Sequence, residues 1–437
     1  MAPRFTQRKR AGKGGSEQGQ GDEGSYVQAG SSWLKQGDAT WRKGATAAHN
    51  AYARAVEWLN ESVSRGETGS VVLLARALQK LSETERAASR GKTPLLNARQ
   101  AETTADANSA SRLAGAIEML LNHGTGAEDA CVEEGNARSA RALCLANELS
   151  SPGEHTRKHE ADEELALAER AYRRALELEG PGEEDTDVVI NLGDSLRQRC
   201  ELSSDANHGA SADEAYSKAV ALLHGRDDLN DHPYVFHDWG CALYAFGNAL
   251  RENRAPKEGA DVLSRAESKL RDAASHDPTD IEAFVALGET LVARAECQLE
   301  QAQRAEELQR AEMEGFKQAL AIDRNDVNAT TGMAEAELAK AREAIIGAGE
   351  QARLWYSEAM RAEPVDVGGW KERAEVMYNL ACACSIAGVD FDGAAIALKS
   401  AINCGAATAE EASADEELAS LLNGSADAAR AVVSNAQ

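Results

Sequence analysis

Histidines and cysteines are the residues of this chain best suited to chemistry, and their spacing limits what that chemistry could be. His232 and His237 flank Pro233 and Tyr234, with Asp231 and Asp238 alongside, a grouping able to titrate near neutral pH or to hold a metal ion. Its place at the start of a helical stretch favours capping and surface polarity instead. His155 and His159, four apart, share a helix face and invite the same reading. The eight cysteines are scattered singly, which suits a reducing, intracellular compartment. Cys382 and Cys384 come closest to a pair, but two residues apart on a helix they point to different faces, so packing is favoured over a metal clip. The sequence has no glycine-rich phosphate loop, no His-Glu-x-x-His, no paired Cys-x-x-Cys and no nucleophile elbow. Neither an enzyme nor a cofactor, metal or small-molecule substrate is expected.

The elements that would position such residues are helices. Across 437 residues Ala, Glu, Leu and Arg recur and aromatic residues make up 5%, a composition that suits helix over strand. Pro94, Pro152, Pro181, Pro233, Pro256, Pro278 and Pro364 fall between helical stretches, where a missing amide hydrogen does least harm. An internal repeat is visible. One helix type pairs a large residue with a small one, as in Leu192-Gly193, Trp239-Gly240, Leu287-Gly288, Met333-Ala334 and Leu380-Ala381, at intervals of 46 to 48 residues. A second type spaces small, large and small residues four and then three apart: Ala168-Tyr172-Ala175, Ala212-Tyr216-Ala219, Ala266-Leu270-Ala273, Ala352-Tyr356-Ala359 and Ala394-Leu398-Ala401, with Phe316-Ala319 as a partial copy. Offsets of three and four lie on one stripe, so small residues let helices approach while large ones fill the gap. A single hairpin of this kind has no core of its own and must stack on others.

These residues resemble the tetratricopeptide repeat, which pairs a large-Gly helix with an Ala-aromatic-Ala helix and closes on proline, here Pro278 and Pro364. The resemblance implies an all-α, TPR-like superhelical array of antiparallel helical hairpins. It is clearest over residues 161–407. Standard repeats of the family are about 34 residues long, so the extra length is expected in long connections such as Arg251 to Gly259, or in extended helices such as Ala293 to Arg310. Ahead of it, residues 25–160 read as divergent hairpins in which Ala48-Tyr52-Ala55 copies the second helix type, and Leu145-Ala146 lies 47 before Leu192. Residues 408–424 read as a C-terminal capping helix docked through Leu418, Leu421 and Leu422, and 425–437 as a tail.

Family geometry implies a concave groove lined by Asp187, Asp194, Tyr234, His237, Tyr244, Glu282, Glu289, Glu335, Glu375 and Tyr378. Six of these are carboxylates, and Arg197 is the single base at equivalent positions, so a basic or amphipathic peptide is the expected ligand. The clamp with which some family members hold chaperone tails is not expected, because His237 and Cys241 stand where it needs basic groups. Residues 1–24 form a basic, glycine-rich arm. Arg8, Lys9 and Arg10 suggest a localisation signal or nucleic-acid contact, with a transit peptide as the alternative. Taking the five positive charges of its first sixteen residues from the formal net of −25 leaves −30 on the rest, which argues against nucleic acid elsewhere. No apolar run is long enough to span a membrane. The sequence therefore points to a protein-binding scaffold or adaptor of the cytoplasm or nucleus, organelle import remaining open; the alternative is a permanent structural subunit or assembly factor of a larger complex.

Overall fold

The computed structural model describes residues 24–41, 45–65, 67, 70–89, 95–123, 128–147, 154–179, 185–226, 232, 234–298, 300–342, 347–360 and 370–424. The expected signal at Arg8, Lys9 and Arg10, the tail and Pro364 lie outside them. All regular structure among the described residues is helical, and the fold is an all-α solenoid built of helical hairpins. The chain divides into two compact units, Met1–Ser89 with Thr103–His232, and Arg90–Glu102 with Pro233–Gln437.

The helices, in chain order, are α1 (Gly24–Trp41), α2 (Ala45–Ser64), α3 (Val71–Ser89), α4 (Leu95–His123), α5 (Glu128–Asn147), α6 (Glu154–Glu179), α7 (Thr186–Ser203) and α8 (Ala206–Arg226). There follow α9 (Val235–Glu252), α10 (Pro256–His276), α11 (Ile281–Glu296), α12 (Gln301–Arg310), a π-helical turn over Ala311–Phe316, α13 (Lys317–Ile322), α14 (Val327–Arg342), α15 (Ala348–Ala359), α16 (Trp370–Ala387) and α17 (Phe391–Cys404). In the first unit the hairpins are α1–α2, α5–α6 and α7–α8; in the second they are α9–α10, α11 with the π turn, α14–α15 and α16–α17.

Local chemistry sets the ends. The Asp185 carboxylate accepts the Asp187 amide at the start of α7, and Asp280 accepts the amides of Glu282 and Ala283 at the start of α11, each satisfying donors that a first turn leaves free. Pro256 opens α10, where it has no amide to lose. Gly405 ends α17 at φ 82°, a left-handed conformation that glycine adopts without strain.

Within each hairpin, a ring or branched side chain lies over a small residue of the other helix. A Cβ at Gly193 would sit 2.9 Å from the Tyr216 ring, at Gly240 2.6 Å from Leu270 Cγ, and at Gly288 2.5 Å from the Phe316 ring. The same contact joins Gly37 to Tyr52 and Gly135 to Tyr172. Leu192, Trp239 and Leu287 are buried beside these contacts, as are Ala168, Ala175, Ala352, Tyr356 and Ala359. Phe316 is wedged between two glycines, Gly288 of α11 and Gly332 of α14, and the π turn brings Gly315 so close that an added Cβ would lie 2.5 Å from Gly288 Cα. Beneath this joint the buried Glu267 of α10 is met by Arg271, Arg294 and Arg310, and Arg294 also reaches Glu307 at 2.5 Å.

Three expectations are corrected. Arg251 to Gly259 is not a long connection: Arg254 at φ 63° and Pro256 turn the chain within three residues, and the extra length lies in the 18 and 21 residues of α9 and α10. Ala293 to Arg310 is not one extended helix, because α11 ends at Glu296 and α12 starts afresh at Gln301. The closing segment is not one helix but α18 (Ala409–Ala414), a 3₁₀ turn at Glu416–Leu418 and α19 (Ala419–Gly424), since the Asp415 side chain caps the turn and breaks the run. Leu418 and Leu421 are wholly buried against α16 and α17, with Leu422 partly so. Tyr378 donates to Asp415 at 2.7 Å and Arg342 pairs with Glu417 at 2.5 Å, which fastens this cap.

Close approach of two backbones predicts a stability contrast. Gly315→Ala is expected to cost about 1–3 kcal/mol through overpacking. Gly115→Ala, in a helix where the new methyl meets nothing within 4 Å, is expected to gain about 0.5–1 kcal/mol. Reversible chemical denaturation measures both, and equal effects would contradict the packing described.

Candidate functional site

The residue that follows each small residue decides where polar chemistry is available. In the first unit it is an acid or amide already in use. Tyr52 Oη donates to Asp38 at 2.9 Å, Tyr172 to Asn136 at 2.8 Å and Tyr216 to Asp194 at 2.7 Å. Asp194 is thus buried inside its hairpin, with Arg197 3.5 Å away. Sequence reasoning missed that Gly37-Asp38 and Gly135-Asn136 carry the same device, although Gly-Asp and Gly-Asn dipeptides signal it. They mark the closely packed positions of α1 and α5, and the paired position of α5 is Gly135, not the Leu145-Ala146 step, because Gly135 is what Tyr172 covers. Asp187 lies 3.4 Å from His232 Nδ1, and Asn191 is buried with its amide 3.4 Å from Asn136.

In the second unit the corresponding residues are Cys241, Glu289, Glu335 and Cys382, on α9, α11, α14 and α16, which touch in that order. The covering residues Leu270, Phe316 and Leu398 carry no hydroxyl. Tyr356 has one, fully buried, which senses Glu335 and Asn379 but makes no hydrogen bond of normal geometry. Glu289 and Glu335 are consequently left without an ion pair to any described residue, and both stay open to solvent. Crowding by the surrounding protein raises each carboxyl to about 7, and at Glu335 the charges of Glu289 and Glu375 add to it. The effect comes from a dense, low-dielectric surround rather than from enclosure. Tyr244 of α9 shares this face, its phenol pushed up first by burial and then by Glu289. Glu375 on α16 and Glu282 in the first turn of α11 are exposed, as is Tyr234 just ahead of α9.

His237 is not a surface capping residue. It is 1% exposed, with Nδ1 3.1 Å from Asp238 Oδ1 and Nε2 3.6 Å from Cys241 Sγ. No side chain caps the start of α9 at Tyr234. His159 lies at the surface, 3.3 Å from Glu163. Cys382 sits 3.9 Å from Asp415, and burial together with that carboxylate pushes its thiol up. Among the described residues the group close enough to share a cation is Glu128, Glu179 and Asp185; burial raises Glu179 to about 7, and the Asp185 amide already donates to it at 2.7 Å. No described helix is long and apolar enough to cross a membrane.

No protein-family model matches the chain, and no curated protein matches it. Solved structures of low identity resemble it. The C-terminal part of a TPR repeat-containing protein from Cytophaga hutchinsonii is 16% identical, over 69% of this chain and 95% of that one, with a TM-score of 0.36. A circular tandem repeat protein is 11% identical, over 95% and 98%, at 0.32. A human IFIT1 dimer with m7Gppp-AAAA is 11% identical, over 94% and 95%, at 0.44. Scores this low carry no argument about this chain, and the helical-repeat architecture rests on the packing described above.

The ring-to-acid device yields a direct test. Phe316→Tyr places a hydroxyl beside Glu289 as Tyr216 does beside Asp194, and a hydrogen bond to the charged form stabilises it. The Glu289 carboxyl is expected to titrate about one pH unit lower, read by carbon-detected NMR. An unchanged titration would show that the carboxylate does not face the ring.

Proposed function

We propose that the protein is a binding scaffold whose second unit holds a basic segment of a partner protein on the face formed by α9, α11, α14 and α16. The observation that carries this reading is the pair Glu289 and Glu335: two solvent-open carboxylates on neighbouring helices, unpaired with any described base, each raised to about 7. A lysine or arginine set between them removes their repulsion and favours their ionised form. Tyr244 beside them supplies a rigid, amphipathic contact of the kind that anchors interfaces. The same charge opposes a phosphate backbone on this face.

The sign of the pH dependence follows from the raised values. Below about pH 7 the carboxyls hold protons and are neutral, so a basic peptide binds more weakly at pH 6 than at pH 8. Fluorescence anisotropy with basic and acidic peptide pools, at two salt concentrations, measures this. Glu289→Gln with Glu335→Gln is expected to weaken the basic pool by roughly tenfold, and equal binding of both pools would sink the proposal. The double variant also reports on folding. A carboxyl raised in the folded state costs stability as pH rises from its unfolded value through 7, so the variant should melt higher than wild type at pH 8 and no higher at pH 4.

A further inference from the structure

We propose that Glu417 of the closing segment is a positioning residue for the acidic face of α11 and α14. Its two-point ion pair holds Arg342 away from Glu335, and an arginine released by Glu417 swings onto Glu335 and closes the face to a basic segment. The role presupposes that this face holds a basic segment, as proposed for it. Arg342 is the last residue of α14, and Glu417 lies in the 3₁₀ turn between α18 and α19. The arginine donates from Nε to one carboxylate oxygen at 2.5 Å and from Nη2 to the other at 3.1 Å, the fork geometry that suits guanidinium to carboxylate.

Arg342 stands seven residues after Glu335. That is two turns, so both leave α14 on nearly the same side, about 10 Å apart along its axis. A long side chain on a helix leans towards the N-terminus, which points Arg342 back at Glu335. The two already sense each other: Glu289, Glu375 and Glu296 act on Glu335 as like charges and Arg342 as the opposite one. The other bases of α9, α11 and α14 have acids of their own. Arg251 pairs with Glu296, Arg294 with Glu267 and Glu307, and Lys340 with Glu312 and Glu337. Arg342 is therefore the base whose partner decides whether Glu335 stays open.

The segment does not depend on Glu417 for its seat. Leu418 and Leu421 are buried, Tyr378 donates to Asp415 at 2.7 Å, and the Leu421 amide donates to Ser385 Oγ at 3.0 Å. Loss of the Glu417 charge frees Arg342 and leaves these contacts in place. The arginine side chain is 49% exposed, which gives its guanidinium room to turn.

Titration of Glu335 by carbon-detected NMR tests this without any ligand. In Glu417→Gln the carboxyl is expected to titrate at least about one pH unit below its wild-type value of about 7, because an opposite charge at contact favours the ionised form. Binding of the basic peptide pool at pH 8 is expected to weaken roughly tenfold. Glu416→Gln removes the same charge from an exposed neighbour and should leave the titration in place and binding within about twofold. In the Arg342→Gln background, Glu417→Gln should lose both effects. A Glu335 titration that Glu417→Gln leaves unmoved overturns the proposal, as does an equal effect from Glu416→Gln or one that survives Arg342→Gln. If wild type binds basic and acidic pools alike while Glu335 still falls in Glu417→Gln, the positioning stands and the ligand assigned to the face is wrong. Should exchange of the Leu421 amide show the segment unseated in Glu417→Gln, Arg342→Gln alone decides. With the arginine already held off, Glu335 rises by less than roughly half a pH unit; a rise of about one unit or more places Arg342 on Glu335 in wild type and overturns the proposal.

Discussion

A ring or branched side chain laid over a residue too small to resist it is the contact on which the hairpins depend. It brings two helices closer than ordinary side chains permit, and because cores are packed at crystal-like density it leaves little room for compromise. Tyr52, Tyr172, Tyr216 and Phe316 are all essentially removed from solvent. Truncating a ring of this kind costs about 3–5 kcal/mol, a large part of the stability of an ordinary domain.

The contact also dictates polar chemistry beside it. At Tyr52, Tyr172 and Tyr216 the hydroxyl finds its acceptor in the Asp or Asn next to the glycine, whereas Tyr356, over Ala334, leaves its hydroxyl without one. Where the ring is phenylalanine or the cover is leucine, there is no hydroxyl to place and the neighbouring position is released. Glu289 and Cys241 are what occupies released positions, one open to solvent with a raised carboxyl, the other paired with a histidine.

Much of this was legible in the sequence, because close packing leaves a mark on residue size. Leu192-Gly193, Trp239-Gly240 and Leu287-Gly288 announce the first helices, and Tyr216 and Tyr356 the second. Electrostatic context left no such mark. Nothing in the spacing of Asp194 and Glu289, which occupy equivalent places, says that one is consumed by a hydroxyl and the other is not; that requires knowing which ring covers which glycine. His237 looked like a helix-start residue because it follows a proline and lies between acids, whereas its burial is set by packing around α9. The breaks at Glu296 and Asp415 were hidden because the residues around them form helix readily on their own.

The wedge of Phe316 has a consequence for how such a chain tolerates change in length. From one small residue to the next the count holds at 46 to 48, from Gly193 to Gly240, Gly288, Ala334 and Ala381, while the stretch from a small residue to its cover varies from 17 for Leu398 through 22 for Tyr356, 23 for Tyr216 and 28 for Phe316 to 30 for Leu270. The cover works as a clasp that can be fastened at any point along the second helix. The π turn is one such refastening, slipping the helix so that the ring still drops between Gly288 and Gly332. Residues gained or lost within a hairpin are absorbed locally, and the hairpins beyond keep their seats.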